Sequence, residues 1–243
     1  MGMKKSNSVK KYIVLSVVLL SFFVAFGQRT KTQNLPKYDL KPYHFGFLIA
    51  YNEFNFMIKP EKDLRPFDSL MVVESSPMSG FNLGVITDMR LNNHFNLRFI
   101  PSLSFGDRVL HYTVKFQDTV FHDVNKKIES TYVDFPLYLK FKSSRMNNVR
   151  LYVIGGVQYS IDLASQAKKK QQDRDEIFVK LHRHDYSFHA GVGADFYLTY
   201  FKFATELKMG YGFRDLIVRE GNLYSNSIER LNSKVLQISF LFE

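Results

Sequence analysis

Residues 186–213 read YSFHAGVGADFYLTYFKFATELKMGYGF. In the first half, Tyr186, Phe188, Val192, Phe196 and Leu198 form one alternate set. Ser187, His189, Gly191, Gly193 and Asp195 form the other. Such a period of two assigns strands, because successive side chains on a strand leave opposite faces. Thr199 and Tyr200 separate this run from a second, Phe201 to Phe213. A two-residue turn there sets Tyr197 opposite Lys202, Gly193 opposite Glu206 and Gly191 opposite Lys208. The polar faces of the two strands then coincide, as a fixed hairpin register requires.

The same pattern recurs along the chain. Six further segments alternate in this way: Phe45–Phe56, Gly80–Leu91, Phe95–Gly106, Thr131–Lys142, Arg150–Asp162 and Lys234–Phe242. Each approaches or exceeds the roughly 9–11 residues that a tilted strand needs to cross a bilayer. The seven connections alternate long and short. Bacterial outer-membrane barrels have this rhythm, with turns in the periplasm and loops outside. The expected fold is therefore all-β, an eight-stranded antiparallel transmembrane β-barrel with short periplasmic turns and long extracellular loops. The long loops fall at 57–79, 107–130, 163–185 and 214–233. Val109–Phe116 and Ile177–Leu181 are apolar enough to prolong strands or form loop hairpins, and 214–233 to pack over the mouth. Pro101 and Pro136 interrupt two segments, and a bulge or broken ladder bond is expected at each, since a closed barrel has no edge to excuse a missing donor.

The apolar faces are broad, whereas the opposite faces mix charge with glycine. A membrane barrel places the apolar face toward lipid and the charges in the lumen. Asp88, Arg90, Arg98, Asp134, Lys140, Asp195, Glu206 and Lys208 all fall on the lumen face. A tight turn at Asn92–His94 puts Asp88 opposite Arg98. Eight strands leave little interior space, and buried charges demand partners. A paired network that plugs the lumen is the expectation, and a conducting pore the alternative.

The first residues look like an export signal. Lys4, Lys5, Lys10 and Lys11 precede an apolar run, Tyr12–Phe26, and Ala25-Phe26-Gly27 has small residues suited to cleavage before Gln28. The run is shorter than the ~20 residues of a spanning helix, which favours removal over anchoring. The expected organisation is a signal peptide at 1–27, a periplasmic lead-in at 28–42 and a barrel domain at 43–243. The absence of cysteine excludes a lipoprotein anchor, disulfides and thiol chemistry. The formal charge of +10 is partly the signal's. Export argues against a nucleic-acid partner; outer-membrane lipid is the expected surrounding, with lipopolysaccharide phosphate a candidate contact for Lys168–Lys170. Asp173, Asp175 and Glu176 follow those lysines, so an ordinary solvated loop is the preferred reading.

Two groups invite a chemical reading. His182-Arg183-His184-Asp185 is dense in metal-ligating types, yet adjacent strand residues face opposite ways and only His182 and His184 share a face. Ser187 and His189 share the inner face and suggest a lipid hydrolase. Residues two apart on a strand are expected to stand beyond a direct hydrogen bond. No nucleophile–base–orienter set, phosphate loop or zinc spacing is present, so neither enzymatic activity, a cofactor nor a metal is expected.

The stretch Tyr38–Phe47 (YDLKPYHFGF) leads directly into the first strand. Tyr132–Lys140 (YVDFPLYLK) forms the fourth, and Gly155-Gly156 lies in the fifth. With these features the chain resembles the PorT (SprT) family of Bacteroidetes outer-membrane barrels over essentially all of the exported part. The resemblance implies an accessory or assembly role in type IX secretion and the linked gliding motility, with other outer-membrane or periplasmic secretion proteins as partners. Loops 57–79 and 214–233 are the preferred partner surfaces on apolar content. A general barrel for adhesion or envelope integrity is the main alternative, and a lipid-modifying hydrolase the second.

Overall fold

The computed structural model describes residues 32–60, 70–116, 120–164, 180–219 and 227–243. The signal segment 1–27 and the lysines Lys168, Lys169 and Lys170 lie outside these residues. From Asn34 onward the chain forms one unit. A short 3-10 turn, Tyr38–Leu40, precedes ten strand segments. They are β1 (Tyr43–Pro60), β2 (Leu70–Ser76), β3 (Met78–Arg90), β4 (Phe95–Phe99), β5 (Ser102–Phe116), β6 (Val120–Lys142), β7 (Val149–Asp162), β8 (His184–Tyr197), β9 (Lys202–Gly212) and β10 (Ile228–Phe242).

Every ladder is antiparallel. β2 and β3 both pair with β5 and part only at Pro77. β4 and β5 both pair with β6 and part at Ile100 and Pro101. Ten segments thus make eight staves. β1 pairs with β10 on one side and β3 on the other, which closes the ring. The registers read from the turns hold: Asp88 faces Arg98, Gly193 faces Glu206 and Gly191 faces Lys208.

Burial alternates with a period of two, and its sense is the reverse of a water-soluble barrel. Phe47, Ile49, Leu83, Val85, Leu139, Val153, Leu207 and Ile238 are exposed, whereas Asp88, Arg98, Lys140, Asp195 and Glu206 are buried. Aromatic rings stack across staves on the outer wall, Phe47 on Phe242 and Phe81 on Phe105, each pair 4.8 Å apart between centroids.

The loop bounds need correction, while the reading of Val109–Phe116 as apolar enough to prolong a strand holds. Residues 107–130 are not a loop in the main. β5 runs to Phe116 and β6 starts at Val120, so the two staves stay paired far past the bilayer. β2 likewise occupies the end of the supposed loop 57–79. Apolar residues above the bilayer explain the length, because they form a second core. Phe56, Leu110, Tyr112, Leu181, Leu216, Ile217, Ile228 and Leu231 pack together as a head on the side of the long connections. Of the bulge or broken ladder bond expected at the prolines, Pro101 shows the break: the stave is interrupted there, while the pairings Phe99–Leu137 and Ser102–Asp134 carry the register across without a bulge. β6 continues unbroken through Pro136, which still pairs with Gln158 of β7.

Candidate functional site

The lumen holds the candidate site, and it divides into two parts. The lower part, toward the short turns, is filled by direct ion pairs. Arg98 on β4 is its hub. Its Nη2 lies 2.6 Å from Asp88 Oδ2 and 2.8 Å from Glu243 Oε1, and its Nη1 lies 3.5 Å from Glu206 Oε2. Lys202 meets Glu243 at 2.5 Å, Lys140 meets Asp195 at 2.8 Å, and Lys208 meets Glu206 at 2.7 Å. Tyr152 donates its hydroxyl hydrogen to Glu206 at 2.9 Å, and its ring lies 3.6 Å beneath the Lys140 ammonium. Four basic and four acidic side chains are therefore buried together, Arg98, Lys140, Lys202 and Lys208 against Asp88, Asp195, Glu206 and Glu243. The balance follows from burial, because an unpaired charge in this space is very costly.

Below this network the lead-in crosses the periplasmic mouth. Asp39, in the 3-10 turn, accepts both terminal nitrogens of Arg150 at 2.8 and 3.0 Å and the Tyr197 hydroxyl at 2.9 Å. Burial alone would raise its carboxyl, but Arg150 and Tyr197 outweigh burial and hold it below the usual carboxylate range. Tyr38 stacks on His44 at 4.3 Å and points its hydroxyl at Glu243 Oε2, 3.4 Å away; burial pushes that phenol well above its ordinary value. Asn34 donates to Asn148 and to the Tyr197 carbonyl.

The upper part has another chemistry. Asp134 accepts hydrogen bonds from Ser104 and from Ser160, the latter at 2.6 Å, and Asp185 accepts one from Ser233. Neither carboxyl has a basic side chain within ion-pair distance among the described residues. The remaining space is a polar cavity of about 30 Å³, lined in part by Asn52, Asn82, Asp134, Asp185, His189 and Gln237. That is room for about one water. Gly210 is required here, since a Cβ on it would overlap the His189 ring. Arg108 closes the top. It donates to the Tyr132 hydroxyl at 2.5 Å, and its guanidinium lies 4.9–5.2 Å from the ring centroids of Phe54, Phe56 and Tyr132.

Of the eight charges assigned to the lumen from sequence, six lie in the lower network and Asp134 lies in the upper part. Arg90 is the correction. It stands half-exposed at the end of β3 and donates to the Leu40 carbonyl and to Asn93, so it belongs to the periplasmic rim. Its parity is inward, but the lumen has already ended at that height. Sequence reasoning left Lys202 and Glu243 out of the network, and Arg108 above it and Asp39 below it out of the site. Lys202 carried a signal, since its register places it inward opposite Tyr197.

Ser187 and His189 also require correction, because Ser187 Oγ lies 2.9 Å from His189 Nε2. Both side chains lean along the strand toward each other. Among the described residues His189 Nδ1 has no hydrogen-bond partner, so no acid among them orients the ring. The 182–185 cluster is split by the pleat: His184 stacks outward on Tyr159 while Asp185 turns inward. Among the described residues no three His, Asp or Glu side chains gather as metal ligands.

A closed, eight-stave ring with apolar residues outside and a charged lumen defines an outer-membrane β-barrel. The model of the family "Outer membrane protein beta-barrel domain" matches residues 26–218, and the chain belongs to that family; its place is the outer membrane. No curated protein matches it. Among solved structures it is similar to Neisserial surface protein A, at 9% identity and a TM-score of 0.41 over 83% of this chain and 98% of that one. It is also similar to the attachment invasion locus protein Ail of Yersinia pestis, at 15% identity and 0.39 over 83% and 99%. A third likeness is OprG of Pseudomonas aeruginosa, at 12% identity and 0.38 over 81% and 93%. These likenesses are weak, and the barrel assignment rests on the register and the family match.

Proposed function

We propose that this chain is a non-enzymatic, non-conducting scaffold that acts through its two ends and its outer wall, not through its lumen. One observation carries the reading. Eight mutually paired charges fill the lower lumen, and moving Arg98 or Lys140 aside to pass an ion leaves Asp88 or Asp195 buried and bare. The Ser187–His189 pair is structural in this reading, since among the described residues no orienting acid reaches His189. Outer-membrane lipid surrounds the wall, lipopolysaccharide meets the head, and nucleic acid is not a partner.

Two roles fit such a scaffold. The head, with its own buried core, gives a rigid outer surface, and this supports an adhesive or envelope-stabilising barrel. We favour that role. The finer alternative, an accessory or assembly component of type IX secretion in the manner of PorT, is supported by the stretch that carries the resemblance: Tyr38, Asp39 and His44 are the residues built into the periplasmic mouth. A planar-bilayer recording tests the scaffold, with no resolved channel steps expected and stable open steps against it. A deletion strain separates the two roles. Trapped cargo, rescued by the restored gene, establishes secretion. Normal export with loss of surface binding or envelope resistance establishes the other.

A further inference from the structure

We infer that the upper lumen is a binding site for one hard cation, sodium or calcium, held by oxygen ligands between the staves. The inference goes beyond the scaffold reading, which concerns the lower network and stands or falls apart from it. Charge makes the first case. Below, four buried bases meet four buried acids in direct contact. Above, the cavity wall carries the carboxyls of Asp134 and Asp185 and one base, Arg108. Both acids are buried, and their side-chain partners are the hydroxyls of Ser104, Ser160 and Ser233. Arg108 turns its guanidinium to the Tyr132 hydroxyl and to three aromatic rings. The wall therefore holds one more negative charge than positive, in a space where an uncompensated buried charge is costly.

Unsatisfied oxygens make the second case independently. Asn52 is 2% exposed and Asn82 5%. Among the described residues the Oδ1 atoms of Asn52, Asn82 and Asp185 have no hydrogen-bond partner. All three residues line the same cavity. Parity sends both asparagines inward, since their neighbours Tyr51 and Phe81 are exposed on the outer wall. The register makes them diagonal neighbours, because Asn52 pairs with Gly80 and Asn82 with Ala50. Asn82 also faces Ser104, which donates to Asp134. The serine hydroxyls around the cavity are already committed, Ser104 and Ser160 to Asp134, Ser233 to Asp185 and Ser187 to His189. A carboxamide can turn either end to a cavity, and a negative wall selects a positive occupant with the oxygens facing it. Carboxylate and amide oxygens are the ligands that hard cations take. The cavity of about 30 Å³ has room for about one water, and a sodium or calcium ion is no larger. With the ion pairs as floor and Arg108 as lid, the ion is a fixed part of the fold and not a permeant one.

The test refolds the purified full chain from urea into lipid vesicles in choline chloride, then replaces choline by sodium or by calcium at constant ionic strength. One salt is expected to raise the urea midpoint saturably. The unfolding constant should fall about 100-fold when the free ion stands at a hundred times its dissociation constant. Native mass spectrometry should then find one bound ion per chain, and the salt with the lower half-saturation names it. Asp134→Asn/Asp185→Asn keeps the shape and the serine partners, so it should fold in choline about as well as wild type and lose the response to salt. Asn52→Leu/Asn82→Leu, similar in size and apolar, should weaken the ion at least about tenfold, the worth of one good hydrogen bond or more. A midpoint that neither salt moves means that the carboxyls are met by protons, and it overturns the inference. A response retained in full by either double variant marks an adventitious ion only and overturns it too. Bilayer recordings of the same purified barrel report on the scaffold reading separately.

Discussion

The lower and upper lumen solve one problem in two ways. Both bury carboxyl groups inside a narrow barrel. The lower part answers each with a cation, and the result is a neutral block of ion pairs. The upper part answers Asp134 and Asp185 with serine hydroxyls and a small polar cavity, and keeps its Arg108 for aromatic rings and a tyrosine. The difference teaches that buried acids in this protein are not interchangeable. Those below are held by charge and are intolerant of loss, whereas those above are held by dipoles and are permissive.

The largest effect should come from Arg98→Met. It strands Asp88 and takes one of two cations from each of Glu243 and Glu206, and a cost of roughly 3–5 kcal/mol is expected for breaking a buried pair, read as a lower urea midpoint of the barrel in vesicles. A cost no greater than that of Arg108→Met would erase the contrast between the two halves. Next, Lys140→Met should destabilise nearly as much by stranding Asp195, and Lys140→Met/Asp195→Leu should regain most of the loss, since an apolar pair replaces a buried ion pair with little penalty. Failure of the double variant to recover would mean that the pair is tied into the wider network.

Arg108→Met should cost about 2 kcal/mol, the scale of a desolvated cation–π contact, and should loosen the head without unfolding the staves. Amide exchange along β5 above Gly106, compared with β9, would reveal it. At the periplasmic end, Asp39→Asn should cost about 1 kcal/mol, a figure already reduced for its partial exposure, and should make residues 34–42 open to protease. The pH dependence has a definite sign. Asp39 titrates below the ordinary carboxylate value when folded, so its contribution is complete above that ordinary value and fades as pH falls through the folded one. Protection of the lead-in should therefore be lost on acidification in wild type and be flat with pH in Asp39→Asn. The smallest effect is expected for Asp134→Asn, below about 1 kcal/mol, because an amide can meet the same hydroxyls. The same change at Asp88 should be severe, and equal responses at the two sites would break the comparison.

Much of this was legible in the chain, and the reasons are local. Period-two alternation and two short turns determine eight staves, which face is outside, and the partnering of Asp88 with Arg98 and of Gly193 with Glu206, because a tight turn leaves a strand only one register that keeps both faces matched. Tertiary structure alone decided the rest. Arg108 lay in a supposed loop; the sequence showed Val109–Phe116 beside it apolar enough to prolong a strand, but only packing showed that these residues join Phe56, Leu216 and Leu231 in a head. Glu243 becomes a partner of Arg98 because closure of the ring brings the end of β10 to the level of β4, 145 residues away in sequence. Ser187 and His189 meet because rotamers, not spacing, set the last few ångströms. Arg90 leaves the network although its parity is right, since parity tells direction and says nothing of height. Sequence alternation specifies faces; closure of the ring specifies which residues share a level, and ion pairing is a matter of level.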